Sequence, residues 1–87
     1  MNKYVAEFLG TLFFVYIFIS VGNPLAIAAA LLVSLAAIGP ISGGYLNPAV
    51  SVMMVSAGKL PSSELMPYVL SQVAGGLAAF ELHKRIL

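Results

Sequence analysis

The sequence contains no cysteine, a single histidine and few charged residues. Without cysteine the chain can form neither a disulfide framework nor a thiolate metal site, so we expect no metal ion and no other cofactor. A formal net charge of +1 is too small to indicate a nucleic-acid-binding protein. Charged residues make up 8% of the chain, whereas a soluble domain is about one quarter charged. The composition is therefore not that of a soluble domain.

Apolar residues dominate the chain: 61% of its 87 residues are hydrophobic, and the mean hydropathy is +1.03. This length allows one domain. Because a helix of about 20 residues crosses the hydrocarbon core of a bilayer, we predict an all-α membrane protein with spanning helices over residues 4–21, 24–38 and 65–82. No small-residue cleavage site stands out after the first apolar run, so we expect that run to remain as a helix and not to be removed as a signal peptide.

Residues 42–50, with the sequence SGGYLNPAV, interrupt the apolar pattern. Non-helical backbone at membrane depth is stable only where protein buries it or where it lines a watery cavity. Asn47 is a favourable N-cap and Pro48 suits the first helical position. The sequence therefore predicts a re-entrant loop and half-helix over residues 41–57. A helix that begins inside a membrane indicates a site for an ion, a solute or water.

The charges that flank the predicted spans are balanced between the two sides of the membrane. Three spans place Lys3 and Lys59 on the N-terminal side, and Lys84 and Arg85 on the opposite side. The Lys/Arg excess that normally fixes orientation is therefore absent. Two interpretations stay open: the balance arises by chance from few charges, or copies of the chain insert both ways up.

Three segments carry a family resemblance: AEFLGT at residues 6–11, ISGGYLNPAVS at 41–51 and YVLSQVAGG at 68–76. They resemble, in this order, the opening of the first helix, the first Asn-Pro-Ala loop and the third helix of the aquaporin, or major intrinsic protein, family. The similarity is closest to bacterial water and glycerol channels. It covers nearly the whole chain but only one half of a family member, whose two halves are inverted relative to each other.

The resemblance implies that one aquaporin repeat is completed by an inverted second copy of the chain. The result would be an antiparallel dimer with a two-fold axis in the membrane plane. Since the family assembles four pores, the analogy extends to eight chains. The implied function is a passive channel for water or small uncharged solutes such as glycerol. The other partners would be the lipid bilayer and the neutral solute, with no nucleic acid.

The resemblance also implies roles for the central loop. Asn47 would accept a backbone N–H through its side-chain oxygen and would point its NH₂ group into the pore as a donor. Pro48 and Ala49, which complete the motif, would allow close contact between the two copies. A ladder of backbone carbonyl acceptors would come from Gly43, Gly44 and Tyr45.

Two polar residues lie within the predicted spans. Glu7 is a carboxylate, and a charged group inside a membrane needs a partner. The resemblance implies that Glu7 accepts N–H groups of the buried loop and that Gln72 braces the loop from the third span. We interpret both residues as structural. The sequence offers no set of nucleophile, base and orienting group, so we predict that the chain is not an enzyme.

The chain departs from the family pattern around the pore. Pro40 and Tyr45 stand where many family members carry histidine, and Ile27 stands where the family often places a pore-narrowing aromatic residue. In a homodimer, Val50 would take the place of the family's filter arginine and Leu35 that of its filter histidine. Ile27, Leu35 and Val50 thus predict an apolar constriction. Such a constriction could pass small neutral solutes, or could dewet and conduct water slowly.

Two alternatives to a homodimeric channel stay open. The missing filter is also expected of a non-conducting membrane protein, a structural or interaction subunit that has kept the fold. A split or truncated half would instead pair with a different chain. That partner would carry its own Asn-Pro-Ala motif and the arginine that this sequence lacks at the corresponding position.

Overall fold

The computed structural model describes residues 1–86, which fold into four α-helices and one short 3₁₀ helix. The helices are α1 (Lys3–Ser20), α2 (Pro24–Ser42), α3 (Pro48–Ser56) and α4 (Leu65–Ile86), with the 3₁₀ helix at Ser62–Glu64 before α4. Three segments are long and apolar enough to cross a membrane, namely α1, α2 and the 3₁₀ helix with α4. The expected class, all-α with three membrane-length helices, is confirmed.

The central helix is α1, which packs against both α2 and α4. Helices α1 and α4 run in the same direction. At one end of the pair, Lys3 forms an ion pair with Glu64. At the other end, the Ser20 hydroxyl lies 3.1 Å from Nδ1 of His83. The molecule measures 40 Å along its longest axis, close to the thickness of a bilayer with its headgroup regions, about 40–45 Å.

The helix α2 ends later than the sequence predicts. We expected Gly39-Pro40 to stop the helix near residue 38, but α2 continues to Ser42 with Pro40 inside it. Proline removes one helical hydrogen bond and favours a break. Tertiary contacts hold this last turn, because the Ser42 hydroxyl donates to Glu7 at 2.6 Å and the Ser42 carbonyl accepts from Tyr68 at 2.7 Å. Gly43, with φ of 94°, ends the helix instead.

The helix α3 is half as long as the others. Its 9 residues give a length of about 14 Å, roughly half of a 30 Å hydrocarbon core. Asn47 caps its start, and the chain leaves its end through Gly58, which has φ of 75°. The amide of Lys59 then donates to the carbonyl of Met54 at 2.9 Å. The loop over residues 43–47 and α3 together form the segment predicted to be re-entrant.

Candidate functional site

A groove of about 300 Å³ runs along one face of the molecule. Helices α1 and α2 form its sides, and the loop before α3 crosses it. Its lining is Phe14 from α1, Leu31 and Leu35 from α2, Gly44, Tyr45, Leu46 and Asn47 from the loop, and Val50 from α3. None of these residues carries a charge. Most of the side chains that line the groove are therefore apolar, and its polar groups come mainly from the loop.

Asn47 contributes a polar side chain to this lining. Its backbone is extended, with φ of −151° and ψ of 128°, as expected of an N-cap residue. Its Oδ1 accepts a hydrogen bond from the amide of Ala49 at 2.7 Å. Because the cap uses the oxygen, the side-chain NH₂ group takes no part in the cap and is left to donate to another group. The structure thus shows Asn47 as the cap of α3, and its role as a donor inside a pore stays a prediction.

The Glu7 carboxylate holds the loop in place from α1. It is fully buried. One oxygen accepts from the Ser42 hydroxyl at 2.6 Å and from the amide of Tyr45 at 3.0 Å. The other oxygen accepts from the amide of Leu46 at 2.8 Å and from Nε2 of Gln72 at 2.9 Å. Four donors fill the acceptor capacity of an ionised carboxylate, so Glu7 joins α1, α2, the loop and α4.

A second link connects α4 to the start of α3. Besides its bond to Glu7, Nε2 of Gln72 donates to the Ser51 hydroxyl at 2.8 Å. The Ser51 hydroxyl donates in turn to the carbonyl of Asn47 at 3.1 Å. Gln72 and Ser51 are both buried. The two N–H groups of one amide therefore support the loop and the half-helix together, and both Glu7 and Gln72 lie behind the groove and not in its lining.

Only some of the other predicted site residues line the groove. Leu35 and Val50 both line the groove, facing it from α2 and α3. Ile27 does not reach it, because α2 presents Leu31 there and Ile27 lies one turn further along the same helical face. Gly44 also belongs to the lining, whereas Gly43 lies outside it under the ring of Tyr45.

Several residues of the site were not singled out from the sequence. Phe14 and Leu31 line the groove, whereas Ser42, Ser51 and Tyr68 connect the loop to the helices. A periodicity signal existed for two of them: Phe14 lies two turns from Glu7 on α1, and Leu31 lies one turn from Leu35 on α2. The serines gave no such signal, because their roles depend on contacts between distant segments.

The chemistry of the groove suits binding or passage of small neutral molecules. Within residues 1–86, no group of three or more histidine, cysteine, aspartate or glutamate side chains is placed to hold a metal ion. The one buried carboxylate is already taken up by four donors. What remains for a ligand is the Asn47 amide, loop backbone groups and apolar surface, which together favour an uncharged polar molecule.

Comparison with known proteins gives a consistent result. The Major intrinsic protein family model matches residues 1–87. The chain is 36% identical to Aquaporin Z of Bradyrhizobium diazoefficiens, over 94% of this chain and 40% of that protein. It is 38% identical to Aquaporin Z of Brucella melitensis biotype 1 and also to Glycerol uptake facilitator protein-like 6 of Lactiplantibacillus plantarum, over 91% of this chain and 41% of each relative. No solved structure matches significantly.

Proposed function

Because this chain belongs to the major intrinsic protein family, a family of membrane channels, we propose that it forms a passive channel for water or small uncharged solutes such as glycerol. The chain spans about two-fifths of the length of the curated relatives that it matches. We propose that a second copy, inserted in the opposite orientation, supplies the other half of the pore. The observation that carries this proposal is the open groove around Asn47, which α1, α2, the loop and α3 of this one chain line with uncharged residues.

The groove has the features of half a pore. Its lining of Phe14, Leu31, Leu35, Leu46 and Val50 is apolar, and the Asn47 amide interrupts it at the start of α3. The N-terminal end of α3 adds a partial positive charge at the same place. Two such helix ends facing each other would disfavour cations and protons, while the two amides would still bind neutral molecules.

The proposed two-fold arrangement makes use of the exposed start of α3. Pro48 and Ala49 are both exposed in the single chain and follow directly after the groove residue Asn47. In a two-fold interface, the same surface of each of the two copies makes the contact. Small side chains at this position would let the two half-helices approach end to end, which is how both Asn47 side chains would reach one pore.

Leu35 and Val50 are the residues that would narrow the proposed pore. Both are apolar and line the groove of each copy, so the complete pore would contain each of them twice. We propose that this constriction selects small neutral solutes by size. Ile27 lies one turn further along α2, outside the groove lining, and is not part of this constriction.

The proposal is tested by osmotic shrinkage of proteoliposomes that contain the full chain. The chain should raise water or glycerol permeability above that of empty liposomes. Asn47→Asp should abolish most of this gain, because aspartate still caps α3 but removes the NH₂ donor and adds a negative charge. Asn23→Asp is the matched control, since Asn23 caps α2 in the same way, accepting from Ala26 at 2.8 Å, and does not line the groove. Permeability equal to that of empty liposomes would refute a channel built from this chain alone.

A second candidate is a channel half that pairs with a different chain. The length comparison favours it, because about three-fifths of each relative lies outside the aligned region. Affinity purification of the full chain from native membranes separates the two candidates. Recovery of an unlike membrane protein with its own Asn-Pro-Ala motif would support the mixed pore, whereas recovery of the chain alone would support the homodimer. An intact oligomer without permeability would instead indicate a non-conducting subunit.

A further inference from the structure

We propose that Leu46 is the positioning residue that fixes Asn47 in the groove. Leu46 has φ of 59°, and it is the one non-glycine residue with a positive φ among residues 1–86. A branched residue rarely adopts this left-handed conformation, because its Cβ crowds the backbone. Strained backbone of this kind persists only where the surroundings enforce it, and it is concentrated at functional sites. Leu46 immediately precedes the cap residue of α3.

Two separate anchors enforce the conformation of Leu46. Its amide donates to the Glu7 carboxylate at 2.8 Å. Its side chain is buried, with 7% exposed, in a cluster with Ala6 and Ile38. The backbone is thus held at the amide and the side chain is held in the α1–α2 interface. Rotation of Leu46 to a negative φ would break the hydrogen bond to Glu7 or remove the side chain from the cluster with Ala6 and Ile38.

The pocket for the Leu46 side chain exists because residue 10 is glycine. A Cβ on Gly10 would lie 2.7 Å from Cδ1 of Ile38 and 3.0 Å from Cδ2 of Leu46. Both distances are shorter than ordinary van der Waals contact, so a methyl group at residue 10 must push the two side chains away. Displacement of Leu46 would be transmitted to Asn47 through the single peptide bond that joins them.

This inference rests on the proposed channel function, and two substitutions at Leu46 test it. Leu46→Ala removes the side-chain anchor but keeps the strain of a positive φ, so the loop should relax and Asn47 should move. Leu46→Gly also removes the anchor, but glycine adopts this φ without strain. We therefore expect the glycine variant to retain the native loop better than the alanine variant. A role in packing alone predicts the opposite order, because glycine leaves the larger cavity.

Two readouts on the full chain in lipid distinguish positioning from general destabilisation. The first is the ratio of glycerol to water permeability, normalised to folded protein, which should change several-fold more in Leu46→Ala than in Leu46→Gly. The second is hydrogen exchange at the Ala49 amide, which bonds to Asn47 Oδ1. Exchange there should accelerate strongly in Leu46→Ala while amides in the middle of α4 stay protected. Uniform acceleration along the chain, or the order alanine better than glycine, would overturn the inference.

Substitution of the pocket provides an independent test with a matched control. Gly10→Ala should reproduce the local exchange at Ala49, because the new methyl group displaces Leu46. Gly76→Ala should not, since a Cβ there meets nothing closer than 3.9 Å. If wild-type liposomes do not conduct but the exchange results are as expected, the channel proposal fails and Leu46 still positions Asn47. If wild type conducts and the exchange at Ala49 is unchanged in all variants, only the role of Leu46 fails.

Discussion

At the scale of single residues, Glu7 shows how a charged group is accommodated in an apolar chain. A buried carboxylate is costly unless it is fully hydrogen-bonded. Glu7 meets this condition with the Ser42 hydroxyl, the Tyr45 and Leu46 amides and the Gln72 side chain. Two of these donors are loop amides that a spanning helix would otherwise satisfy internally. In the loop, the Glu7 carboxylate therefore accepts from these two amides in place of the backbone carbonyl groups of a helix.

Substitution of Glu7 by glutamine should lower the free energy of unfolding by about 3 kcal/mol, because the glutamine NH₂ group would face two donors and leave both without an acceptor. Denaturant or SDS titration of the chain in detergent micelles measures the difference. Glu81→Gln is the matched control: Glu81 is half exposed and pairs with Lys84 at 3.2 Å, and an exposed pair contributes little. Equal stability of the two variants would show that the Glu7 network does not support the loop.

At the scale of helices, the contact of α1 with α4 depends on the absence of a side chain at Gly75. A Cβ on Gly75 would lie 2.5 Å from the carbonyl oxygen of Phe8 and 3.2 Å from the amide of Leu12. Both neighbours are backbone atoms, which cannot move without moving α1. Small residues at helix contacts are typical of membrane proteins, where association depends on close packing. This contact also sets the distance between Glu7 and Gln72.

Gly75→Ala should therefore destabilise the fold by about 1–3 kcal/mol through overpacking. The adjacent Gly76→Ala should be neutral or stabilising by up to about 1 kcal/mol, because alanine favours the helix and a Cβ there meets only Val15, at 3.9 Å. Thermal or SDS-induced unfolding of both variants in one detergent gives the comparison. A Gly76 variant as unstable as the Gly75 variant would mean that general helix flexibility, and not the contact with Phe8, explains the effect.

At the scale of the whole molecule, the arrangement of the helices around the groove and the charges at the two ends bear on the proposed two-fold pore. The groove is bounded by α1, α2, the loop and α3, whereas α4 contributes no residue to its lining. Each end carries two basic residues, Lys3 and Lys59 at one end and Lys84 and Arg85 at the other. Neither end therefore carries a strong excess of positive charge, which is compatible with insertion in either orientation.

The antiparallel arrangement predicts that each end of the chain is found on both sides of the membrane. Tags at both termini, probed by protease accessibility in sealed vesicles, should each show a protected and an accessible population. Replacing Lys84 and Arg85 by serine removes positive charge from one side and should shift the population toward one orientation, with loss of permeability. A single orientation of the unmodified chain would exclude the antiparallel pore.

The sequence by itself determined the class of the protein and the position of its central loop. Its apolar runs set three membrane-length helices, and Asn47-Pro48 marked the start of the half-helix through local capping chemistry. The sequence did not determine the end of α2, since the local preference of Pro40 was overridden by two hydrogen bonds of Ser42, which donates to Glu7 and accepts from Tyr68.

Only the tertiary structure decided which residues line the groove and which support it. Leu31 reaches the groove and Ile27 does not, because the loop lies beside the part of α2 that contains Leu31 and Leu35. The left-handed backbone of Leu46 likewise has no local cause, since leucine avoids this conformation when unconstrained. It arises from contacts between residues more than 30 positions apart in the chain. Long-range packing thus places the loop that the sequence identifies.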